Sequence, residues 1–318
     1  MKVAFVFPGQ GAQYVGMGSE LKDAFPIVKK TFEEADDALG FSISRLFLEG
    51  NSDELRLTYY AQPAILTTSV AFLRAFWSES GLRPDFVAGH SLGEYSALVA
   101  ADVLRFEDAV KLVHTRGHLM NDAFPAGLGG MAAILGADED KLKALCHDIT
   151  DATGQLVDIA NYNCKGQLVV SGAAEAVAQV VERAGESGAR RALPLDVSGP
   201  FHSPLMKEAG ARLTDYLMAT SFAIPSCPVV ANVTGRPIEA IEDIKNALAL
   251  QVASPVLWEA SVLSMQKLGA DLFIEFGPGT VLSGLIKKVS RDLQTQHVED
   301  RGSLDQAIAA VSLREVCE

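Results

Sequence analysis

A serine flanked by glycines is the feature of this sequence that most directly suggests chemistry. Ser91 stands in the motif Gly-His-Ser-Leu-Gly, after a short apolar stretch at residues 86–88 and before an amphipathic stretch that predicts a helix. Glycines two residues before and two after the serine allow a strand and a helix to approach each other closely. A strand, sharp turn and helix in this order are typical of a nucleophile elbow, in which a strained turn exposes the serine hydroxyl.

A serine nucleophile needs a base and a site for the oxyanion that its attack creates. The backbone N–H of Leu92 is expected to point from the helix N-terminus toward the Ser91 hydroxyl, where it would meet that negative charge. Among the six histidines, His202 is the best candidate base because it lies in a loop stiffened by neighbouring prolines. The spacing alone leaves a purely structural role for His202 open.

The residues nearest to these two fit a catalytic role less well. His90 adjoins the serine, but neighbouring side chains on a sharp turn point in different directions. Asp196 is the nearest acidic residue upstream of His202, and nothing in the intervening loop folds it back toward the imidazole. The sequence therefore predicts a serine–histidine dyad, with a backbone or amide group that orients the imidazole ring.

The composition of the chain argues against several functional classes. Its 318 residues are 48% hydrophobic and 21% charged, which is typical of a globular protein with a large core and a smaller second domain. A formal net charge of −13 argues against a general nucleic-acid or anionic-membrane surface, so an acidic partner would need a local basic patch. The four cysteines are widely spaced, without metal-ligand spacing to the histidines, and no segment predicts a signal peptide or a membrane span. We therefore expect reduced thiols, no metal and a cytoplasmic location.

Apolar and amphipathic segments alternate along most of the chain and predict an α/β fold. Strands are expected at residues 3–7, 86–88, 228–231 and 272–276 with helices between them, which favours a mostly parallel sheet covered on both faces. Residues 131–195 instead show the order β-α-β-β-α-β of a ferredoxin-like domain. We expect this small domain to occupy residues 128–197, and a large domain to comprise residues 1–127 and 198–318.

Three local features complete the predicted organisation. A long, mostly apolar helix is expected at residues 64–80, and a glycine-rich linker at residues 125–130. Residues from 292 onward are expected to form a polar tail. This tail should end in a last helix whose N-cap residue is Ser303, the first residue of a capping box.

Several motifs occur in one order along the chain, and together they resemble one enzyme family. They are Phe-Pro-Gly-Gln-Gly at residues 7–11, Gly-His-Ser-Leu-Gly-Glu at 89–94, Arg116, Gly-Pro-Phe-His-Ser at 199–203, Asn-Val-Thr-Gly at 232–235 and Glu-Phe-Gly-Pro-Gly at 275–279. Over roughly the first 290 residues, the chain is similar to the malonyl-CoA:acyl-carrier-protein transacylases and the related acyltransferase domains of polyketide synthases. The resemblance implies an α/β-hydrolase-like large domain with a ferredoxin-like insertion.

The resemblance also implies catalytic and binding roles for residues of these motifs. Ser91 would become acylated, and His202 would remove its proton and later serve the incoming thiol. The backbone N–H groups of Gln10 and Leu92 would form the oxyanion hole. Arg116 would receive the free carboxylate of the malonyl group, which a planar guanidinium can pair through both oxygens at once.

Further residues are implied to line the site or to orient its groups. The segment around Gln251 would supply the contact that orients the imidazole, and Asn163 would line the site from the small domain. Phe201, directly before the candidate base, would favour malonyl over methylmalonyl groups. Simpler roles stay open, since Gln10 could cap a helix, Asn163 could hold a turn and Gln251 could be a solvated helix end.

The implied reaction has two steps and needs neither a metal nor a redox cofactor. Malonyl-CoA acylates the serine, CoA leaves, and the phosphopantetheine thiol of an acyl carrier protein takes the malonyl group. Carrier proteins of this class are acidic, so docking is expected at a basic patch. The first candidates for this patch are Lys287, Lys288 and Arg291, and the second are Arg190 and Arg191. The same residues could equally form a solvated helix face.

Other functions remain open from the sequence. A serine thioesterase or hydrolase could use the same elbow, although Arg116 would have no evident task in it. A non-catalytic scaffold that binds carrier proteins is a further alternative. For the transacylase, the sequence favours fatty-acid biosynthesis and leaves a trans-acting malonyl acyltransferase of polyketide synthesis as the alternative.

Overall fold

The computed structural model of the chain describes residues 2–125 and 127–315, and these form two β-sheets with helices around them. The strands are β1 (Lys2–Phe7), β2 (Phe86–Gly89), β3 (Gly129–Leu135), β4 (Val157–Cys164), β5 (Gln167–Ala173), β6 (Arg191–Pro194), β7 (Val229–Ala231), β8 (Arg236–Ile238), β9 (Ala270–Phe276) and β10 (Gln294–Val298). The helices are α1 (Ser19–Ala24), α2 (Pro26–Leu39), α3 (Ile43–Glu49), α4 (Ser52–Leu55), α5 (Thr58–Ser80), α6 (Gly93–Ala100), α7 (Phe106–Asp122), α8 (Glu139–Thr153), α9 (Ala174–Arg183), α10 (Lys207–Ala219), α11 (Ile241–Gln251), α12 (Trp258–Lys267), α13 (Val281–Val289) and α14 (Arg301–Glu315). No helix in the described part of the chain is both long and apolar enough to cross a membrane.

The larger sheet has the strand order β10-β9-β1-β2-β7-β8, and all neighbours except β7 and β8 are parallel. The central strand β1 is apolar on both faces and buried from Val3 to Phe7. This pattern is expected of a parallel strand that helices cover from both sides. The predicted mostly parallel sheet is therefore confirmed.

Aromatic side chains fill the layer between this sheet and the long helix α5. The rings of Phe5, Phe76 and Phe276 meet with centroids 4.7–5.8 Å apart, and Phe7 stacks on Phe276 at 6.0 Å. Each fully buried phenylalanine contributes about 1.5–3 kcal/mol of hydrophobic stabilisation. This rigid layer supports the carboxyl ends of β1 and β2, where the candidate site lies.

The smaller sheet is antiparallel, with the strand order β4-β5-β3-β6. Together with α8 and α9, its strands follow the predicted order β-α-β-β-α-β, so the ferredoxin-like arrangement is confirmed. The two helices cover one face of this sheet, while Met131, Ala160 and Val169 join the core of the larger unit. The domain boundaries at residues 127/128 and 197/198 stay a prediction.

The start of α5 and the start of β3 differ from the sequence-based expectation. The helix begins at Thr58, six residues before the predicted start, and it contains Pro63 in its interior. Close packing overrides the proline here, because α7 approaches the first turn of α5 so tightly that a Cβ at Gly117 would lie 2.5 Å from Tyr59 Cα. The expected linker at residues 125–130 is also too long, since Gly129 and Gly130 already pair with β5.

The region after residue 292 begins with a strand where a polar tail was expected, and it ends in the expected last helix. The polar segment Gln294–Val298 pairs with β9 as the edge strand of the larger sheet, a position where one side of the strand faces solvent. The last helix begins at Arg301, and the residue before it, Asp300, accepts the N–H of Ser303 at 2.7 Å. In return, Ser303 Oγ accepts the N–H of Asp300 at 3.0 Å. The capping box is thus present, but Ser303 is its fourth residue and not the N-cap.

The tight contact between β1 and α6 yields a testable prediction. A Cβ at Gly93 would lie 2.1 Å from the carbonyl oxygen of Phe7, so Gly93→Ala should force the two backbones apart and cost about 3 kcal/mol of unfolding free energy. Gly284→Ala is the matched control, because a Cβ at this position of helix α13 would meet no neighbouring segment within 4 Å. That variant should gain up to about 1 kcal/mol. Urea denaturation measures both, and equal midpoints would contradict the prediction.

Candidate functional site

The sharp turn at Ser91 lies between the end of β2 and the start of α6. The serine has φ = 51°, a left-handed conformation that non-glycine residues rarely adopt. A Cβ at Gly89 would lie 1.9 Å from the carbonyl carbon of Gly93, so the strand and the helix touch through glycine backbone. The predicted strained turn is confirmed, and so is the close approach that the two glycines allow.

Asn232 holds this turn from the segment after β7. Its Oδ1 accepts the backbone N–H of Ser91 at 2.7 Å, and its Nδ2 donates to the carbonyl of Gly89 at 2.7 Å. Its own N–H donates to Oε2 of Glu94 at 3.0 Å. Sequence reasoning did not assign a site role to Asn232 or Glu94. The only signal was their presence in two of the motifs that carry the resemblance.

The structure brings Ser91 and His202 together, as the dyad hypothesis requires. Ser91 Oγ lies 2.8 Å from Nε2 of His202. The imidazole Nδ1 lies 2.8 Å from the carbonyl oxygen of Gln251. Because a carbonyl can only accept, Nδ1 carries the proton and Nε2 is left to accept the serine proton. The loop is fixed further by a hydrogen bond from the His202 N–H to the Val252 carbonyl.

The surroundings of His202 keep its imidazole neutral. Burial is the main cause that lowers its pKa to about 3, and the positive charge of Arg116 acts in the same direction. The hydrogen bond to Gln251 opposes this shift only in part. A neutral imidazole next to a serine hydroxyl is the protonation state that a general base needs.

Arg116 lies on α7 beneath the serine and is 1% exposed. Its Nη2 donates to Ser91 Oγ at 3.1 Å and to Oε1 of Gln251 at 2.9 Å. Its Nη1 donates to Oε1 of Gln62 at 2.7 Å, and its guanidinium carbon lies 5.4 Å from the ring centre of Tyr95. The guanidinium expected to bind a carboxylate is therefore in direct contact with the candidate nucleophile.

Two backbone N–H groups at the site are free to stabilise an oxyanion. Gln10, after β1, and Leu92, at the start of α6, both line the cleft that contains Ser91. Within the described residues, neither N–H has a hydrogen-bond acceptor. The side chain of Gln10 donates to Thr58 Oγ1 at 3.2 Å, so it does not cap a helix. Unpaired N–H groups beside a nucleophile are what an oxyanion hole requires.

The cleft has a volume of about 670 Å³ and is lined by strands of the smaller sheet and by loops and helices around the larger one. Asn163 on β4 lines the cleft. Its Oδ1 lies 2.9 Å from Nε2 of His90, and this contact links the smaller sheet to the elbow. Phe201 also lines the cleft and is 5% exposed. Gln251 is fully buried, so the alternative of a solvated helix end is wrong for this residue.

Glu94 is a buried carboxylate behind the candidate nucleophile. Besides the Asn232 N–H, its Oε2 accepts Nε2 of Gln251 at 2.7 Å. Burial raises its pKa to about 7, against the opposing effect of these hydrogen bonds and of Arg116. No group of three or more His, Cys, Asp or Glu side chains in the described residues could hold a metal ion.

Two of the basic residues proposed for docking, Lys287 and Lys288, lie on a helix that lines part of the cleft. Helix α13 contributes Val281, Leu282 and Leu285 to the cleft lining, and its exposed Lys288 donates to Oε1 of Gln167 on β5 at 2.9 Å. Lys287 donates to the carbonyl of Leu293. Arg291, Arg190 and Arg191 are exposed.

A fold with this topology and a serine, imidazole and guanidinium in one cleft defines an enzyme of the acyl transferase class. The chain matches the acyl transferase domain family over residues 4–306, and it belongs to this family. Among its relatives, the chain falls with the malonyl CoA-acyl carrier protein transacylases. It is 52% identical to that of Bacillus subtilis over 96% of both chains, and 43% identical to that of Escherichia coli K12 over 96% of this chain and 98% of the relative.

Solved structures show the same fold at similar identity. One is a malonyl-transacylase in complex with its type II PKS acyl-carrier protein, with a TM-score of 0.95 and 42% identity over 98% of this chain and all of the other. Another is an acyl carrier protein S-malonyltransferase from Vibrio cholerae, with a TM-score of 0.92 and 44% identity over 96% of this chain and all of the other. The α/β fold with a second, ferredoxin-like sheet is thereby confirmed.

The lowered pKa of His202 leads to a prediction about pH. Since this pKa is about 3, acylation of Ser91 by a neutral acetyl-pantetheine thioester should be nearly independent of pH between about 5 and 7.5. Glu94→Gln is the control, because it removes the carboxyl with a pKa of about 7. Rapid-quench acylation rates measure the effect. A fall with a midpoint near 6.5, the ordinary histidine pKa, in both proteins would contradict the prediction.

Proposed function

We propose that this chain transfers a malonyl group from CoA to the phosphopantetheine thiol of an acyl carrier protein, through an ester on Ser91. The observation that carries the proposal is the pair of contacts at one oxygen. Ser91 Oγ lies 2.8 Å from the His202 imidazole and 3.1 Å from the Arg116 guanidinium. A base activates this hydroxyl, and a fixed cation beside it selects an acyl group that carries a negative charge.

In the first step, Nε2 of His202 takes the Oγ proton while Oγ attacks the thioester carbonyl of malonyl-CoA. The N–H groups of Gln10 and Leu92 stabilise the oxyanion of the tetrahedral intermediate. When this intermediate collapses, the carbon–sulfur bond breaks and the CoA thiolate receives the proton from the imidazolium. In the second step, the carrier thiol gives its proton to His202 and attacks the ester. The serine oxygen then leaves and regains that proton. No metal or redox cofactor takes part in these steps.

Arg116 distinguishes this reaction from simple ester hydrolysis. A malonyl carboxylate that enters a buried cleft without a partner costs several kcal/mol. Acylation replaces the Oγ proton with the acyl group. Oγ then becomes an ester oxygen, which is a poorer acceptor for the hydrogen bond from Nη2. The guanidinium can then turn its donors to both carboxylate oxygens. Phe201 fills space at the cleft wall, which favours malonyl over a group with an α-methyl branch.

A thioesterase or hydrolase that uses the same elbow is the second candidate. Such an enzyme would have no role for the contact between Arg116 and Ser91.

For the pathway, we propose fatty-acid biosynthesis, with polyketide synthesis as the alternative. The similarity to a malonyl-transacylase bound to a type II PKS carrier supports keeping this alternative. We propose the cytoplasm as the compartment, because Cys146, Cys164 and Cys227 are free thiols; Cys317 lies outside the described residues.

Intact-mass measurement tests the proposed reaction. Mixing the protein with malonyl-CoA should add one malonyl group, which should persist without an acceptor and move to a holo carrier protein when one is added. Ser91→Ala should show no adduct. Ser96→Ala is the matched control, because Ser96 lies on the elbow helix and its buried hydroxyl has no hydrogen-bond partner in the described residues; it should acylate normally. Rapid loss of the malonyl group to water would favour the hydrolase, and an adduct on Ser91→Ala would contradict the assignment of the nucleophile.

We propose that Lys288 and Arg291 form the docking patch for the acidic carrier protein. Lys287 is a weaker contributor because its ammonium binds the Leu293 carbonyl in a part-buried contact, whereas the contact of Lys288 with Gln167 is exposed. Their helix supplies part of the cleft lining, so a carrier bound there can direct its arm toward Ser91. The patch at Arg190 and Arg191 is the second candidate.

Charge reversal tests the docking patch. Lys288→Glu with Arg291→Glu should raise the KM for the carrier protein about tenfold through lost electrostatic attraction, and leave the KM for malonyl-CoA unchanged. Lys111→Glu is the control, since this exposed lysine lies on α7 away from the residues that line the Ser91 cleft. An equal change in the carrier KM for both proteins, or a change in the malonyl-CoA KM alone, would refute the patch.

A further inference from the structure

The guanidinium of Arg116 is buried without a carboxylate partner. Among the described residues it forms no ion pair within 4.0 Å. Buried arginines are normally paired, because an uncompensated charge in a protein interior is costly. The acceptors that hold Arg116 are instead the amide oxygens of Gln62 and Gln251 and the hydroxyl of Ser91.

Gln62 is placed so that only its oxygen can face the guanidinium. It lies on α5, is fully buried, and accepts Nη1 of Arg116 at 2.7 Å. Its Nε2 points to the thioether sulfur of Met120 at 3.6 Å. Since a thioether accepts weakly and cannot donate, the amide nitrogen faces Met120 and the oxygen faces Arg116. Both neighbours therefore select the same amide orientation.

The negative charge that does interact with Arg116 is kept one amide away. Gln251 accepts Nη2 of Arg116 through Oε1 and donates to Glu94 through Nε2. The side chain of Gln251 thus separates the Glu94 carboxylate from the guanidinium. On both sides, a neutral amide holds the cation in position and leaves its charge without a direct counter-ion.

We propose that Gln62 is a specificity-determining residue, which positions Arg116 through a neutral amide so that its charge stays available for the carboxylate of the acyl group. This inference rests on the proposed function, in which that acyl group is malonyl. An acidic residue at position 62 would hold the guanidinium equally well, but it would occupy Nη1 with a carboxylate and repel a second one. The amide therefore serves the selection of substrate as well as the packing of α5 against α7.

Gln62→Glu is the direct test, because it changes the charge and keeps the shape of the side chain. The readout is the ratio of kcat/KM for malonyl-CoA to that for acetyl-CoA, measured as acylation of Ser91. Both donors share the CoA moiety, so effects on CoA binding and on general folding cancel in this ratio. We expect the ratio to fall about 100-fold in Gln62→Glu. An unchanged ratio would overturn the proposal.

Gln62→Met separates the loss of charge from the loss of a hydrogen bond. It removes the acceptor of Nη1 but adds no charge, so the ratio should fall only about tenfold. A ratio in Gln62→Glu equal to or above that in Gln62→Met would show that neutrality at position 62 is irrelevant. If Gln62→Glu does not fold, an unchanged ratio in Gln62→Met still overturns the proposal.

A double-mutant cycle with Arg116→Ala tests whether the effect passes through the guanidinium. Without Arg116, Gln62→Glu should no longer lower the ratio, whereas an undiminished fall would point to direct repulsion of the substrate and refute the positioning role. The wild-type protein distinguishes this failure from failure of the proposed function. If the wild type forms no malonyl adduct, the proposed function fails, whereas an adduct with unaltered selectivity in both variants of Gln62 refutes only the present inference.

Discussion

The hydrogen bonds of Gln251 are the interaction on which the rest of the site depends. Its carbonyl accepts the Nδ1 proton of His202, and its side-chain oxygen accepts Arg116. Its amide nitrogen donates to the Ser91 carbonyl and to Glu94. One fully buried residue thus fixes the proposed base, the cation and the backbone of the proposed nucleophile relative to one another. Because such bonds strengthen in a water-poor interior and are costly to leave unmade, the site is held as a unit.

The proposed nucleophile and the proposed base both belong to residues with an unfavourable backbone conformation. Ser91 and His202 have φ values of 51° and 59°. Each such residue costs on the order of 1–3 kcal/mol and persists only where the surroundings compensate for it. For Ser91 the compensation comes from Asn232 and from the glycine contact beneath the turn. For His202 it comes from the bonds to residues 251 and 252. The strain places both side chains in the cleft, and the surrounding packing sustains it.

The arrangement of charge around the cleft suits an acyl group that carries a carboxylate. Burial keeps His202 neutral and raises the pKa of Glu94, so the guanidinium is the charge that contacts the Ser91 hydroxyl. The smaller sheet closes over this region from one side and contacts the elbow through Asn163 and His90. A carboxylate drawn into this environment completes an ion pair that the protein leaves open. A neutral acyl group gains no such contact.

The sequence by itself determined the elements whose signals are local. Glycine spacing around Ser91 predicted the elbow, hydrophobic periodicity predicted the parallel sheet, and the alternation of short segments predicted the ferredoxin-like sheet. The edge strand Gln294–Val298 was missed because a strand with one solvent-facing edge can be polar and then resembles a loop. Gln62, Asn232 and Glu94 were not assigned to the site because their bonds join residues 54, 141 and 157 positions apart. Only the tertiary structure decided these contacts, since hydrogen bonds between distant segments form where packing brings the segments together and leave no periodic trace in the sequence.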